Sequence, residues 1–409
     1  MRSLIQSNTP QLVRSLIYAL VLVTPLIFTS NTVEGFEFPK MVVIYIVGTT
    51  IIFLFLITKT ETLIKPKAAP TAFILAYILA TLASIHVYTS LWGYYSRFNG
   101  GLISMLTYFG LYITALNALN KAGFESIKKL MVLTSIPVSL YGMFQHLVLS
   151  KEQDVVRIFS SIGQANWLGA YLAFCILIAL GYMFTQRNWR LYFSAYILGF
   201  LGLWLTFSVS SLLGFVGGLA VFTVYNKGLL VKQRRKVLAV ITYSFIVMLF
   251  IPGVWQQRIE DVFKSIALVQ KTYAQNTKQF HLSDSGLIRK GMWAGSLSII
   301  TSDPKTFILG AGPETFAYVF QTHRPAFLNY TSEWEYILNK PHNYYLEVWA
   351  TTGLIGFITY LALLAFAYKK SSVIVKPALI ALFIVNIFSW PTTVLNLFFW
   401  VLLADEQTN

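Results

Sequence analysis

Near its C-terminal end the chain reads PHNYYLEVWATTGLIGF, from Pro341 to Phe357. His342 can take up a proton near neutral pH, since its ordinary pKa is about 6.5. Asn343, Tyr345 and Glu347 follow it closely. The stretch from Leu346 to Ala365 is apolar enough for a membrane span. A base, an amide and a carboxylate therefore stand together at a span entrance. The expected place for His342 is the first helical turn, where the helix dipole disfavours the imidazolium. That leaves a neutral imidazole available as a general base.

Three arginines accompany it. Arg97 lies in SLWGYYSRFNGG, between Tyr95 and Asn99. Arg157 precedes GQANWLGAYL, at the mouth of another apolar run. Arg289 recurs with Trp293 and Ser296 at helical spacing, so the three share a face. A guanidinium binds two oxygens at once and keeps its charge, which suits a phosphate-bearing substrate. A single such arginine reads equally well as a lipid-headgroup anchor, and a single interfacial histidine as an amphipathic one. Their grouping, rather than any one of them, points to a site. In LGAGPETF, Gly310 and Gly312 admit two readings: amides offered to an anion ahead of a helix, or a plain turn with Glu314 opening the next helix.

The elements that must carry these residues are mostly apolar. Of 409 residues 56% are hydrophobic and 11% charged, with a mean hydropathy of +0.63; soluble domains are usually about a quarter charged. The reading is an all-α integral membrane protein with about twelve transmembrane helices and one large, partly helical extracytoplasmic loop. Apolar runs fall near 12–30, 40–58, 71–89, 101–118, 129–148, 166–184, 190–207, 209–226, 237–253, 343–366, 372–389 and 390–404. The run at 209–226 is weak because it is rich in Gly and Ser, and Trp390-Pro391 separates the last two. The first run lacks a small-residue cleavage site and reads as an uncleaved span.

Charge sets the expected orientation. With the N-terminus cytoplasmic, the inner segments collect most of the Lys and Arg, from Arg14 through Lys232, Arg234, Arg235 and Lys236 to Lys369 and Lys370. The short outer segments hold only Lys40, Arg97, Lys151 and Arg157. That bias places both termini in the cytoplasm and 254–342 outside. It also accounts for the net charge of +15, through insertion topology and anionic lipid, and removes the case for nucleic-acid binding. The single cysteine, Cys175, sits in an apolar run and supports neither a disulfide framework nor a zinc cluster.

Three parts follow: an N-terminal bundle of about nine spans at 1–253, the loop at 254–342, and about three spans at 343–409. The loop opens with an amphipathic pattern, Ile259, Val262, Phe263 and Ile266 against Glu260, Asp261 and Lys264, suited to a membrane surface. A second helix starts at Ser283 or Ser285 and ends before Asp303-Pro304.

The His-Asn pair, Leu346, and Gly353-x-x-Gly356 resemble the signature motif of the O-antigen ligase and O-antigen polymerase superfamily. Upstream, Arg289, Trp293, Pro304, Gly310 and Gly312 are similar to that family's Arg, Trp, Pro, Gly-x-Gly run, and YYSRFNGG and RIFSSIGQANWLGAYL extend the likeness over nearly the whole chain. Two departures stand out. Where many members have Ser-Arg, this chain has Ser208-Val209, and Thr351 stands where many have Glu. The resemblance implies a metal-independent glycosyltransferase without cofactor. It would move a glycan from a polyprenyl-diphosphate donor to an acceptor hydroxyl on a glycan, lipid or protein, at the outer face of the bacterial cytoplasmic membrane. His342 would then be the base or acceptor orienter, with Arg289, Arg157 and Arg97 on the diphosphate. Asn343 and Glu347 would bind substrate, and Tyr94, Tyr95, Trp293 and Tyr345 would pack on sugar or prenyl. No Asp-x-Asp pair occurs for a metal clamp.

The rival class is a transporter or flippase for a lipid-linked glycan or small anion. It would explain many spans and outer arginines. It predicts a duplicated half, which the sequence lacks, and it does not explain a His-Asn at the return of a large loop.

Overall fold

The computed structural model describes residues 2–58, 63–149, 157–250, 255 and 285–405. The amphipathic pattern from Ile259 to Ile266 lies outside them. Among the described residues the chain is helical, with no strand.

The helices are α1 (Arg2–Val23), α2 (Glu37–Thr58), α3 (Ala68–Leu82), α4 (Val87–Trp92), α5 (Leu102–Ala118), α6 (Lys121–Leu149), α7 (Ala165–Thr185), α8 (Trp189–Leu205), α9 (Val209–Lys232) and α10 (Arg234–Phe250). After the loop come α11 (Ser285–Ile300), α12 (Pro304–Leu309), α13 (Phe316–His323), α14 (Tyr344–Lys370), α15 (Lys376–Val385) and α16 (Thr393–Leu402). Among the described residues six stretches are long and apolar enough to cross a membrane: Thr9–Leu26, Glu37–Thr58, Lys121–Val148, Ala165–Thr185, Val209–Lys232 and Tyr344–Lys370.

The expected apolar runs each meet a helix, but several helices are shorter than a span. The run at 71–89 divides in two, because His86 caps α4 by accepting from the Thr89 N–H. The last two runs become ten-residue helices, α15 and α16, joined by 386–392. Each rises about 15 Å, half the usual hydrocarbon thickness of about 30 Å.

α7 is the centre of the bundle. Nearly all its side chains, Cys175 included, are buried, against α6, α8, α9 and α15. The Gly-rich character of α9 has a packing cause. A Cβ at Gly214 would lie 2.7 Å from the Ala381 carbonyl oxygen of α15, and one at Gly218 would lie 2.6 Å from that of Pro377. The four-residue Gly spacing lets the two backbones approach, at the cost of the hydropathy that marks a span.

A second, smaller apolar cluster lies under the return loop. Ile288, Met292, Phe316, Phe320, Leu328 and Leu338 bury one another together with Ala350 of α14. This layer seats the loop on the first half of α14.

Candidate functional site

α14 is broken at Gly353, whose φ is 68° and ψ −174°. The break leaves carbonyls without intrahelical partners. The turn after α12 supplies donors: the Ala311 N–H donates to Ala350 O and the Gly312 N–H to Thr351 O, both at 2.9 Å. A Cβ at Gly353 would sit 2.2 Å from Ile308 O, and one at Gly310 2.3 Å from Thr351 O. The two glycine motifs, about forty residues apart in sequence, are thus the two sides of one backbone contact. Of the two readings of Gly310 and Gly312, the plain turn holds; these amides are already bonded. Glu314 does not open a helix. It has φ 61°, and α13 begins two residues later with Thr315 as N-cap.

Glu314 and Glu347 both take the ammonium of Lys340 between them. Lys340 and Glu347 are buried, and the Glu314 side chain is 8% exposed. Burial alone would lower the Lys340 pKa, but the two carboxylates raise it above its ordinary value. Glu347, expected beside substrate, ties α14 to the return loop. Its Oε2 has no hydrogen-bond partner among the described residues.

His342 follows Lys340 by two residues. It is not in the first helical turn: Asn343 is the N-cap, and His342 precedes it with φ 52°. Asn343 has a capping role, its Oδ1 accepting from the Tyr345 and Leu346 N–H groups at 3.0 and 3.1 Å. The imidazole is nevertheless held neutral, for a different reason than the helix dipole. Burial first, then the Arg289 and Arg97 charges, push its pKa down to about 3.

What brings Arg97 to His342 is Trp390, which sequence reasoning used only as a separator. The His342 ring meets the Trp390 ring at 4.9 Å. The Arg97 guanidinium lies 5.5 Å from the same ring and 5.9 Å from Trp167, within the range of cation–π attraction. The two tryptophans meet edge to face at 5.8 Å. Trp390 lies in the connection between α15 and α16, and the start of α16 is fixed from two sides. Glu37 Oε2 accepts from the Thr393 N–H and hydroxyl, each at 2.8 Å. Asn99 Nδ2 donates to Thr393 Oγ1 at 3.0 Å.

Arg157 is fixed by hydrogen bonds, its Nε donating to Thr206 O at 2.9 Å and its Nη2 to Asn166 Oδ1 at 2.8 Å. Asn166 neighbours Trp167, and Thr206 lies three residues before Val209. Arg289 acts electrostatically on both His342 and Glu333. Trp293 packs near Phe388 at 6.4 Å. Tyr345 points into the bundle, donating to Phe383 O at 2.9 Å and meeting Tyr360 at 6.0 Å. Of the expected aromatic set, Tyr95 is exposed while Tyr94 is buried against it.

A cavity of about 290 Å³ opens beside His342, bordered by Glu333, Tyr336 and Lys340. Among the described residues no group of His, Cys, Asp and Glu is arranged to hold a metal ion. The residues that sequence reasoning missed are Trp390, Trp167, Lys340, Glu314 and Glu333. The available signals were the Trp-Pro break between two apolar runs and a lysine just ahead of Pro-His.

The arrangement is that of an all-helical protein with membrane-crossing helices and a cation-rich site holding a neutral histidine. Residues 193–361 match the family model described as O-antigen ligase. The matched stretch, under half the chain, includes Arg289, both glycine motifs and His342, and supports placing the protein in the O-antigen ligase/polymerase-like family, with a function in glycan assembly. No curated protein matches the chain.

Proposed function

We propose that the protein is a glycosyltransferase that moves a glycan from a polyprenyl-diphosphate donor to an acceptor hydroxyl, at the outer face of the bacterial cytoplasmic membrane. The observation that carries this reading is the shared contact of His342 and Arg97 with Trp390. It sets a neutral base beside a guanidinium. In the reaction the acceptor oxygen attacks the anomeric carbon and its proton passes to the His342 imidazole. The bond from the anomeric carbon to the diphosphate oxygen breaks, and the diphosphate leaves with the electron pair. Arg97 and Arg289 offset the negative charge that grows on it. Arg157, anchored at Thr206 three residues before Val209, would stand in for the arginine absent there. Asn343, Glu347 and Tyr345 support the site through the helix start and the bundle. The segment 254–342 would lie outside the cell, with both termini in the cytoplasm.

The test is turnover of a polyprenyl-diphosphate glycan by purified protein in detergent. Loss of a general base typically costs about 10²–10⁴-fold, so His342→Ala should nearly abolish transfer while donor binding persists. Retention of about a third of wild-type turnover or more would contradict a base role of that size.

A further inference from the structure

The cavity beside His342 has a wall that the transfer reading leaves unused. Its carboxylate is Glu333, and burial raises that group's pKa while Arg289 opposes the rise. The other charged neighbour, Lys340, has its ammonium engaged by Glu314 and Glu347. The wall is built rather than loose. The Arg324 guanidinium donates to the carbonyls of Glu333, Trp334 and Tyr336, at 3.4, 3.0 and 3.4 Å. Tyr336 and Trp334 still present 67% and 48% of their surface.

We propose that this cavity is the acceptor subsite, and that it takes the neutral, hydroxyl-bearing end of a glycan, with Glu333 and Tyr336 as binding residues. The inference rests on the transfer reading above. Position supports it, since a sugar held here meets His342 on the same cavity wall. So does charge. A carboxylate accepts hydroxyl protons strongly and repels a diphosphate, so the two substrates are sorted on entry. So does size: about 290 Å³ is at the small end of ligand pockets, which run ~300–1,000 Å³. It fits a terminal sugar and excludes a whole repeat unit. Tyr336 adds a rigid amphipathic ring suited to the mixed face of a pyranose. The Arg324 staple lowers the cost of ordering that wall on binding.

The experiment uses the full chain in detergent and saturation-transfer NMR, with methyl α-glucopyranoside as neutral probe, methyl glucuronide as anionic probe and inorganic pyrophosphate as competitor. Wild type should bind the glucoside, reject the glucuronide, and keep the glucoside when pyrophosphate is added. Glu333→Gln should admit the glucuronide, while Glu333→Asp should keep rejecting it. Tyr336→Ala should weaken glucoside binding about tenfold, the size of a lost buried contact. Persistent pyrophosphate binding in the variants shows that they are folded. A wild type without a glucoside signal overturns the proposal. So does displacement of glucoside by pyrophosphate, or rejection of the glucuronide by Glu333→Gln. An unchanged glucoside signal in Tyr336→Ala would assign that ring to the bilayer interface instead. If the sugar binds as expected but pyrophosphate does not bind wild type at all, the transfer reading fails and the sugar site stands.

Discussion

Replacing Arg97 by Gln should raise the pKa of His342 by about one unit. The Arg97 guanidinium carbon lies 5.5 Å from the centre of the Trp390 ring, and the His342 ring centre lies 4.9 Å from the same point. Their charges are therefore no more than about 10 Å apart, by the sum of those two distances. At that limit a unit charge contributes ~1.7 kcal/mol with an effective dielectric near 20, slightly above one pKa unit at 1.36 kcal/mol each. The sign follows from like charge: Arg97 disfavours the imidazolium, so its removal favours protonation. Burial is the larger cause and Arg289 remains, so the midpoint should still lie below the ordinary value of about 6.5.

The assay is a pH titration of histidine ring-carbon shifts in detergent. There are five histidines, and the His342 resonance is the one that disappears in His342→Gln. A midpoint that stays fixed or falls would refute the electrostatic account. A base held near 3 is weak, and general bases act best with a pKa near the working pH. A bound diphosphate would offset Arg97 and Arg289 and so strengthen the base as the donor arrives. Pyrophosphate should raise the His342 midpoint in wild type, and the acid limb of kcat should lie at higher pH than that of kcat/KM.

Three further outcomes can be checked directly. Lys340→Met would leave Glu314 and Glu347 buried without their cation; breaking such a pair typically costs ~3–5 kcal/mol, read as a lower thermal midpoint in detergent, and adding Glu347→Gln should recover part of it. Gly353→Ala forces a side chain at φ 68° into Ile308 O and should destabilise by at least ~1–3 kcal/mol, whereas Gly228→Ala, in α9 with open space around it, should be neutral or stabilising by up to ~1 kcal/mol; equal effects would remove the strain argument. Transfer should survive excess chelator, and activity lost to chelator and restored by magnesium would replace the arginine account with a metal-based one.

The membrane class and the helix positions were legible because they rest on local signals. Apolar runs, caps such as Asp303, and Pro304 at a helix start are written within a few residues of where they act. Helix ends inside the runs were less legible. His86 halts one run at a single cap, and hydropathy averaged over a window does not register one residue. The helix-start reading of His342 failed for a related reason. The sequence put the histidine at the right end of α14, but Asn343 is the better cap and displaced it outward by one turn position. The correct protonation state then came from a cause that spacing could not show, namely burial beside Arg97 and Arg289.

Several contacts that sequence reasoning missed run between residues far apart along the chain. Lys340 meets Glu314 across 26 residues, and Glu37 meets Thr393 across 356. These long-range contacts explain why the site is divided among loops that look unremarkable alone. A base just ahead of α14, a guanidinium on the loop before α5, and a tryptophan between α15 and α16 have no short covalent route to one another. Each loop must be pinned by its own polar contact: Lys340 by two carboxylates, Asn99 and Glu37 on Thr393, Arg157 on Thr206. Buried polar groups of this kind contribute little net stability when paired and cost several kcal/mol when one partner is lost. Their presence around a left-handed His342 therefore argues for placement of the imidazole and against a role in stability alone. A bundle held only by its apolar core could bury the same helices and leave the base free to turn away from Trp390.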